Sequence, residues 1–231
     1  MPLHKIHRNM YPYITHTWNP IKGECSHDCS YCYVKKMMQQ FKQKQKLPKF
    51  YESELKVNLG TGKIIFVGSN IDIFSELIPF IWIINTLDHC KKYPDNLYFF
   101  QTKNPARYIE FANDNQFPEK VIFCTTIETN RYYPEIMGNS PMPLVRMKHI
   151  NDMRLKKYAT AITIEPILDF DFSIFSSTLI ACRPNFIYIG MDSKKCGLPE
   201  PGKNKIKELI DVLRKSGLNV RIKDNLWRLI K

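Results

Sequence analysis

Three of the chain's seven cysteines fall within eight residues, in the stretch CSHDCSYC that holds Cys25, Cys29 and Cys32. In a reducing compartment, thiols at this spacing serve as metal ligands more readily than as disulfide partners. Zinc is one reading, since His27 stands between the first two thiols and sites of four cysteines, or of three cysteines and a histidine, are common. A structural zinc site normally recruits its other ligands as a second close pair, and Cys90, Cys124, Cys182 and Cys196 are scattered. A cubane iron–sulfur cluster is held by closely spaced thiolates. With three of them in the loop, one iron lacks a protein ligand, which marks a cluster that acts on a bound molecule.

A second set of reactive or ligand-binding side chains lies at the ends of strand-like runs. Strands are expected at 13–19, 63–70, 96–103, 120–129, 159–168, 185–193 and 219–224, with helical patterns at 72–92, 105–112, 146–157, 173–182 and 203–217. Strands separated by helices of this length signal βαβ units and a parallel sheet. A complete eightfold barrel takes about 250 residues. The 231-residue chain therefore suits an α/β fold of the partial barrel type, with mainly parallel strands, as a single domain over 1–231. Alternation puts Ile122, Cys124, Thr126 and Glu128 on one side of their strand, and sets Thr163 and Glu165 against Ile162 and Ile164. Asn19, Ser69, Asn70, Gln101, Lys103, Thr126, Glu128, Glu165, Asp192 and Lys223 gather at carboxyl ends, the edge where parallel α/β folds bind ligands.

The pattern Cys25-x3-Cys29-x-Tyr31-Cys32, placed after a first strand, resembles the radical S-adenosylmethionine superfamily. TWNPIKGECSHDCSYCY, FVGSNIDIF, QTKNPARY, TTIETN, TIEPIL and IKDNLW resemble a group of small, often phage-associated members that is distantly similar to spore photoproduct lyase. At Gly190-Met191-Asp192-Ser193 the chain departs from the GGES-like loop of that group. The resemblance implies a partial (β/α)6 barrel in which Cys25, Cys29 and Cys32 bind a 4Fe-4S cluster. It implies that the fourth iron is chelated by S-adenosyl-L-methionine, which is cleaved to a 5'-deoxyadenosyl radical that abstracts hydrogen from a substrate. On the same ground Tyr31 and Tyr33 lie near the adenine, and Ser69 and Asn70 near the methionine amino group. Thr126 and Glu128 serve the ribose or the carboxylate, and Glu165 faces the same cavity. An electron donor such as flavodoxin or ferredoxin is implied as a partner.

A net charge of +12 and a pI near 9.3 favour an anionic substrate, with nucleic acid or a nucleotide as the leading class. Lys103, Arg131, Asp192 and Lys223 are the candidate substrate contacts. The lysines at 35, 36, 42, 44, 46 and 49 read as the solvated face of a helix and its exit. A competing class is a non-catalytic nucleic-acid-binding module stabilised by iron–sulfur or zinc. The longest apolar run, LIPFIWIINTL, falls short of the roughly 20 residues of a membrane helix, and MPLHKIHRNMYPY does not resemble a signal peptide; a cytoplasmic protein is expected. GTGK at 60–63 lacks the Ser or Thr that ends a phosphate loop. The segment NRYYPEIMGNSPMP, long for a βα connection, reads as a lid.

Overall fold

The computed structural model describes residues 3–5, 11–42, 46–194 and 196–231. Lys44 lies outside them. Ten strands form among the described residues: β1 (His4–Lys5), β2 (His16–Trp18), β3 (Ile21–Lys22), β4 (Lys49–Phe50), β5 (Ile64–Val67), β6 (Leu97–Thr102), β7 (Val121–Thr126), β8 (Ala159–Ile164), β9 (Phe186–Ile189) and β10 (Val220–Ile222). The helices are α1 (Tyr33–Gln40), α2 (Phe80–Lys91), α3 (Ala106–Asn113), α4 (Pro134–Met137), α5 (Pro143–Leu155), α6 (Phe172–Cys182), α7 (Lys203–Lys215) and α8 (Trp227–Ile230). All seven expected strands are present. They join β1 in an eight-stranded sheet of order β1-β2-β5-β6-β7-β8-β9-β10, while β3 and β4 pair separately.

The chain divides into two compact units, residues 1–26 with 32–123 and residues 27–31 with 124–231. In the first unit β2, β5 and β6 run parallel and β1 lies antiparallel to β2. An aromatic cluster fills its interior: Phe74, Phe100, Tyr108, Phe111, Phe117 and Phe123 are all buried. Phe74 meets Tyr108 edge-on at 4.7 Å and Phe117 meets Phe123 at 4.5 Å, a favoured aromatic geometry. The helix read from residue 72 begins instead at Phe80, because the residue before a proline is pushed out of the helical region and Pro79 enforces that at Ile78. The Asp72 carboxylate shapes the turns that replace the first helical turns, accepting from Phe74 N at 3.0 Å and from Thr102 Oγ1 and Lys103 N at 2.8 Å each.

In the second unit β8, β9 and β10 are parallel and in register, so that Ile162, Ile187 and Val220 form one apolar row and Ile164, Ile189 and Ile222 another. The intervening row, Thr163, Tyr188 and Arg221, points to the opposite side. The expected helix at 203–217 is amphipathic α7, burying Ile206, Leu209, Ile210 and Leu213 at helical spacing. Among the described residues no helix is long and apolar enough to cross a membrane.

Candidate functional site

The segment 27–31, which carries Cys29, is held by the long connection that follows β7. Ser30 N donates to Ile136 O at 3.0 Å and Asn139 N to His27 O at 2.7 Å. The Cys29 thiol donates to Met137 O at 3.4 Å. At Gly138 φ is +57°, and a Cβ there would collide with His27 O and the Asp28 carbonyl, so a glycine is required. Ile136, Met137 and Leu168 form a small buried cluster against which Tyr31, Tyr133 and Leu198 pack. The stretch read as a lid thus contains the one-turn helix α4 and clamps the cysteine loop. Arg131, expected near substrate, pairs there with Asp169 and, at 2.6 Å, with Asp171.

Beside this clamp stands a buried polar set. The Tyr31 hydroxyl donates to Glu128 Oε1, and Arg146 of α5 brings Nη1 to 2.9 Å from Glu128 Oε2. Both the Glu128 and the Arg146 side chains are 0% exposed. The 2.9 Å approach is an ion pair, since an Nη1 hydrogen is directed at Thr126 O, 2.6 Å away. Arg146 Nη2 also reaches Met137 Sδ at 3.5 Å. One guanidinium thus ties together the end of β7, Glu128 and the clamp over Cys29. Arg146 joins the Thr126 backbone to the Glu128 carboxylate; it was invisible in the sequence, where a helical arginine reads as solvated.

The first unit gathers another part of the expected set. Tyr33, at the start of α1, donates its hydroxyl to Ser69 O. Asn19 Oδ1 accepts from Ser69 Oγ at 3.2 Å and from Asn70 N at 3.3 Å. Asn70 Oδ1 is buried and has no hydrogen-bond partner among the described residues, a costly state that a ligand donor would relieve. Lys103 has its backbone held by Asp72. No residue of α1 is buried, but Lys35 and Lys36, read as part of a solvated face, are half-buried.

At the carboxyl ends of β8, β9 and β10, Glu165 pairs with Lys223 and accepts from Asn225 Nδ2 at 2.7 Å. The Asn225 amide also bridges the Met191 backbone, accepting from its N at 3.4 Å and donating to its O at 3.3 Å. Gly190 is the space that admits them: a Cβ would stand 2.7 Å from Glu165 Oε1 and 3.0 Å from Asn225 Oδ1. Glu165 and Lys223, expected in different roles, are partners; Asn225 and Gly190 carried no signal of their own. Asp192 caps a turn, accepting from Lys194 N at 3.0 Å and from Cys196 N.

Among the described residues Cys25, Cys29 and Cys32 form no disulfide. Among the described residues no group of three or more His, Cys, Asp or Glu side chains is gathered closely enough to hold a metal ion. The donor set nonetheless suits an iron–sulfur cluster: three thiols on one short loop, with the clamp fixing the middle one. The Cys29 contact to a carbonyl is that of a protonated thiol, and ligation requires the thiolate.

The fold has solved counterparts. Spore photoproduct lyase complexed with dinucleoside spore photoproduct aligns over 94% of this chain and 81% of its own, with a TM-score of 0.65 and 12% identity. A variant of that lyase with bound AdoMet and dinucleoside spore photoproduct aligns over 93% and 67%, at 0.59 and 12%. SuiB from Streptococcus suis, bound to S-adenosylmethionine, aligns over 90% of this chain and 49% of its own, at 0.56 and 12%. At this identity the likeness establishes the fold, an α/β partial barrel with a mostly parallel sheet. The chain belongs to the family described as "Protein of unknown function (DUF5131)", whose profile matches residues 9–139. No functionally curated protein matches the sequence.

Proposed function

We propose that this chain is a radical S-adenosylmethionine enzyme acting on an anionic substrate of the nucleotide or nucleic-acid class. The observation that carries the reading is the Cys25-x3-Cys29-x-Tyr31-Cys32 loop, which follows the first parallel strand of a fold shared with AdoMet-binding structures. Cys25, Cys29 and Cys32 would hold a 4Fe-4S cluster. When bound, the cluster and S-adenosylmethionine supply a 5'-deoxyadenosyl radical for hydrogen abstraction, given one electron from a donor such as flavodoxin or ferredoxin.

The protein's own part is positioning and exclusion of water. The clamp at 136–139 fixes the turn around Cys29, and Glu128, neutralised by Arg146, fixes Tyr31 beside Cys32. Tyr33 restrains the start of α1 against Ser69. In this reading Ser69, Asn70, Thr126 and Glu165 contact the cofactor, and the unpartnered Asn70 Oδ1 accepts from the methionine ammonium. Glu128 acts through Tyr31.

Anaerobic reconstitution tests the reading. About four irons per chain are expected from a cubane, lost on Cys25→Ala, Cys29→Ala or Cys32→Ala and kept on Cys90→Ala. Reduced protein should then form methionine and 5'-deoxyadenosine from S-adenosylmethionine. Iron retained in the triple variant, or loaded protein that neither binds nor cleaves the cofactor, refutes it; the second outcome favours the non-catalytic nucleic-acid-binding module.

A further inference from the structure

The parallel register of the second unit builds a polar face of which the proposed cofactor contacts use only Glu165. Thr163, Tyr188 and Arg221 stand side by side on β8, β9 and β10. One step further along the same face stand Glu165, Gly190 and Lys223, with Lys223 N bonded to Ile189 O at 2.9 Å. Residues paired across parallel strands share a side, about 4.8 Å apart, and alternate residues along a strand are about 6.6 Å apart. Two cations, Arg221 and Lys223, thus project to one side from the edge strand of the sheet.

Their surroundings hold them in place. The Arg221 guanidinium lies 4.5 Å from the Phe186 ring centroid and 5.5 Å from that of Tyr188, and Nη1 donates to Tyr188 Oη at 3.3 Å. Lys223 Nζ lies 5.8 Å from the Tyr188 centroid and pairs with Glu165. Stacking of this kind presents a guanidinium as a rigid planar fork suited to oxyanions.

One feature points to a ligand. Thr163 is 2% exposed, yet its Oγ1 has no hydrogen-bond partner among the described residues; a buried hydroxyl left unpaired is disfavoured, whereas Val would fill the same shape without it.

We infer that this face is an oxyanion site that takes a phosphate group of the substrate. Arg221 and Lys223 supply the charge, Thr163 Oγ1 supplies a hydroxyl donor, and Glu165 holds Lys223 in place until the phosphate arrives. The inference deepens the substrate half of the proposed function and rests on that reading for its role in the reaction. Binding itself needs neither cluster nor cofactor.

The test uses the full chain without cluster, titrated by calorimetry with inorganic phosphate, with a thymidylate dinucleotide, with acetate at matched ionic strength and with S-adenosylmethionine. Phosphate and the dinucleotide should bind and acetate should not. Thr163→Val should weaken phosphate binding about tenfold or more, the loss expected for a hydrogen bond to a charged group, while leaving the unfolding midpoint unchanged or raised. Arg221→Gln should weaken it similarly, and Lys42→Gln on the solvated helix exit should not. The inference is overturned if the parent chain does not bind phosphate, or if Thr163→Val and Arg221→Gln bind it as the parent does. It is equally overturned if Arg221→Gln impairs S-adenosylmethionine alone, since the oxyanion would then be the cofactor carboxylate. Iron content and 5'-deoxyadenosine formation, which test the proposed function, are read separately.

Discussion

Replacing Arg146 with Met isolates the buried ion pair that joins β7, Tyr31 and the clamp over Cys29. Arg146 and Glu128 are both 0% exposed, so the variant leaves a carboxylate in the interior without its cationic partner Arg146. It also strips Thr126 O of the Nη1 donor at 2.6 Å. Breaking a buried pair from one side costs about 3–5 kcal/mol, whereas replacing both partners by apolar groups of similar volume is often neutral or stabilising. At about 2–4 °C per kcal/mol for a chain of this size, Arg146→Met should lower the thermal midpoint by about 6–20 °C. Glu128→Leu should lower it comparably, through an unpaired guanidinium. The double variant Arg146→Met with Glu128→Leu should recover most of the loss, a coupling that a double-mutant cycle reads directly. Midpoints come from circular dichroism scans and are checked by urea unfolding. A shift below about 2 °C for Arg146→Met, or a double variant that loses the sum of the two singles, refutes the pairing as the source of stability.

Gly138→Ala should unseat the cysteine loop, since the left-handed φ of +57° and the collision with His27 O cost about 1–3 kcal/mol; faster alkylation of Cys29, followed by mass spectrometry, is the readout, and an unchanged rate counts against the clamp. Acid should weaken the clamp's other anchor. Hydrogen bonds from Arg131 hold the Asp171 carboxyl below its usual 3.8, and at Asp169 the upward push of burial is outweighed by the combined hydrogen bonds and charges of Lys205 and Arg131. Carboxyl groups depressed on folding stabilise above their unfolded pKa and lose that contribution as pH falls through the folded values. Unfolding midpoints should therefore drop below about pH 4, less steeply in Arg131→Ala, and equal slopes would refute the assignment. Burial raises the Cys182 thiol to about 11 and the Cys90 thiol well above its ordinary value, so in folded protein at pH 8 iodoacetamide should modify neither; labelling of either at the rate of partly exposed Cys196 would contradict their burial.

The seven main strands were legible because short β-branched and aromatic runs alternate with helical periods, a pattern that survives any detail of packing. β1, β3 and β4 were not, because two residues carry no period. The beginning of α2 was misread where Asp72 bonds Thr102, thirty residues away in sequence, and no local pattern reports such a contact. The cysteine loop announced itself by spacing alone. Glu165 and Lys223 were each visible at a strand end, but their pairing depends on the register of β8, β9 and β10 and on the missing side chain of Gly190. Arg146 and Arg221 look like any surface arginine in sequence; burial of one and stacking of the other appear only once α5 and β10 are packed.

The bonds that fix the cysteine loop impose an order on biosynthesis. Cys29 and Ser30 meet Met137 and Ile136, partners 108 and 106 residues downstream. A nascent chain synthesised at about 5–20 residues per second carries its three thiols without these restraints for roughly 5–20 s, and longer while the downstream residues remain inside the ribosome. Through that interval the thiols are open to oxidation and to adventitious metals. Under the proposed function, cluster loading onto the restrained loop would therefore come late in the life of the chain, and expression that slows translation between residues 32 and 139 should raise the share of protein with a damaged loop.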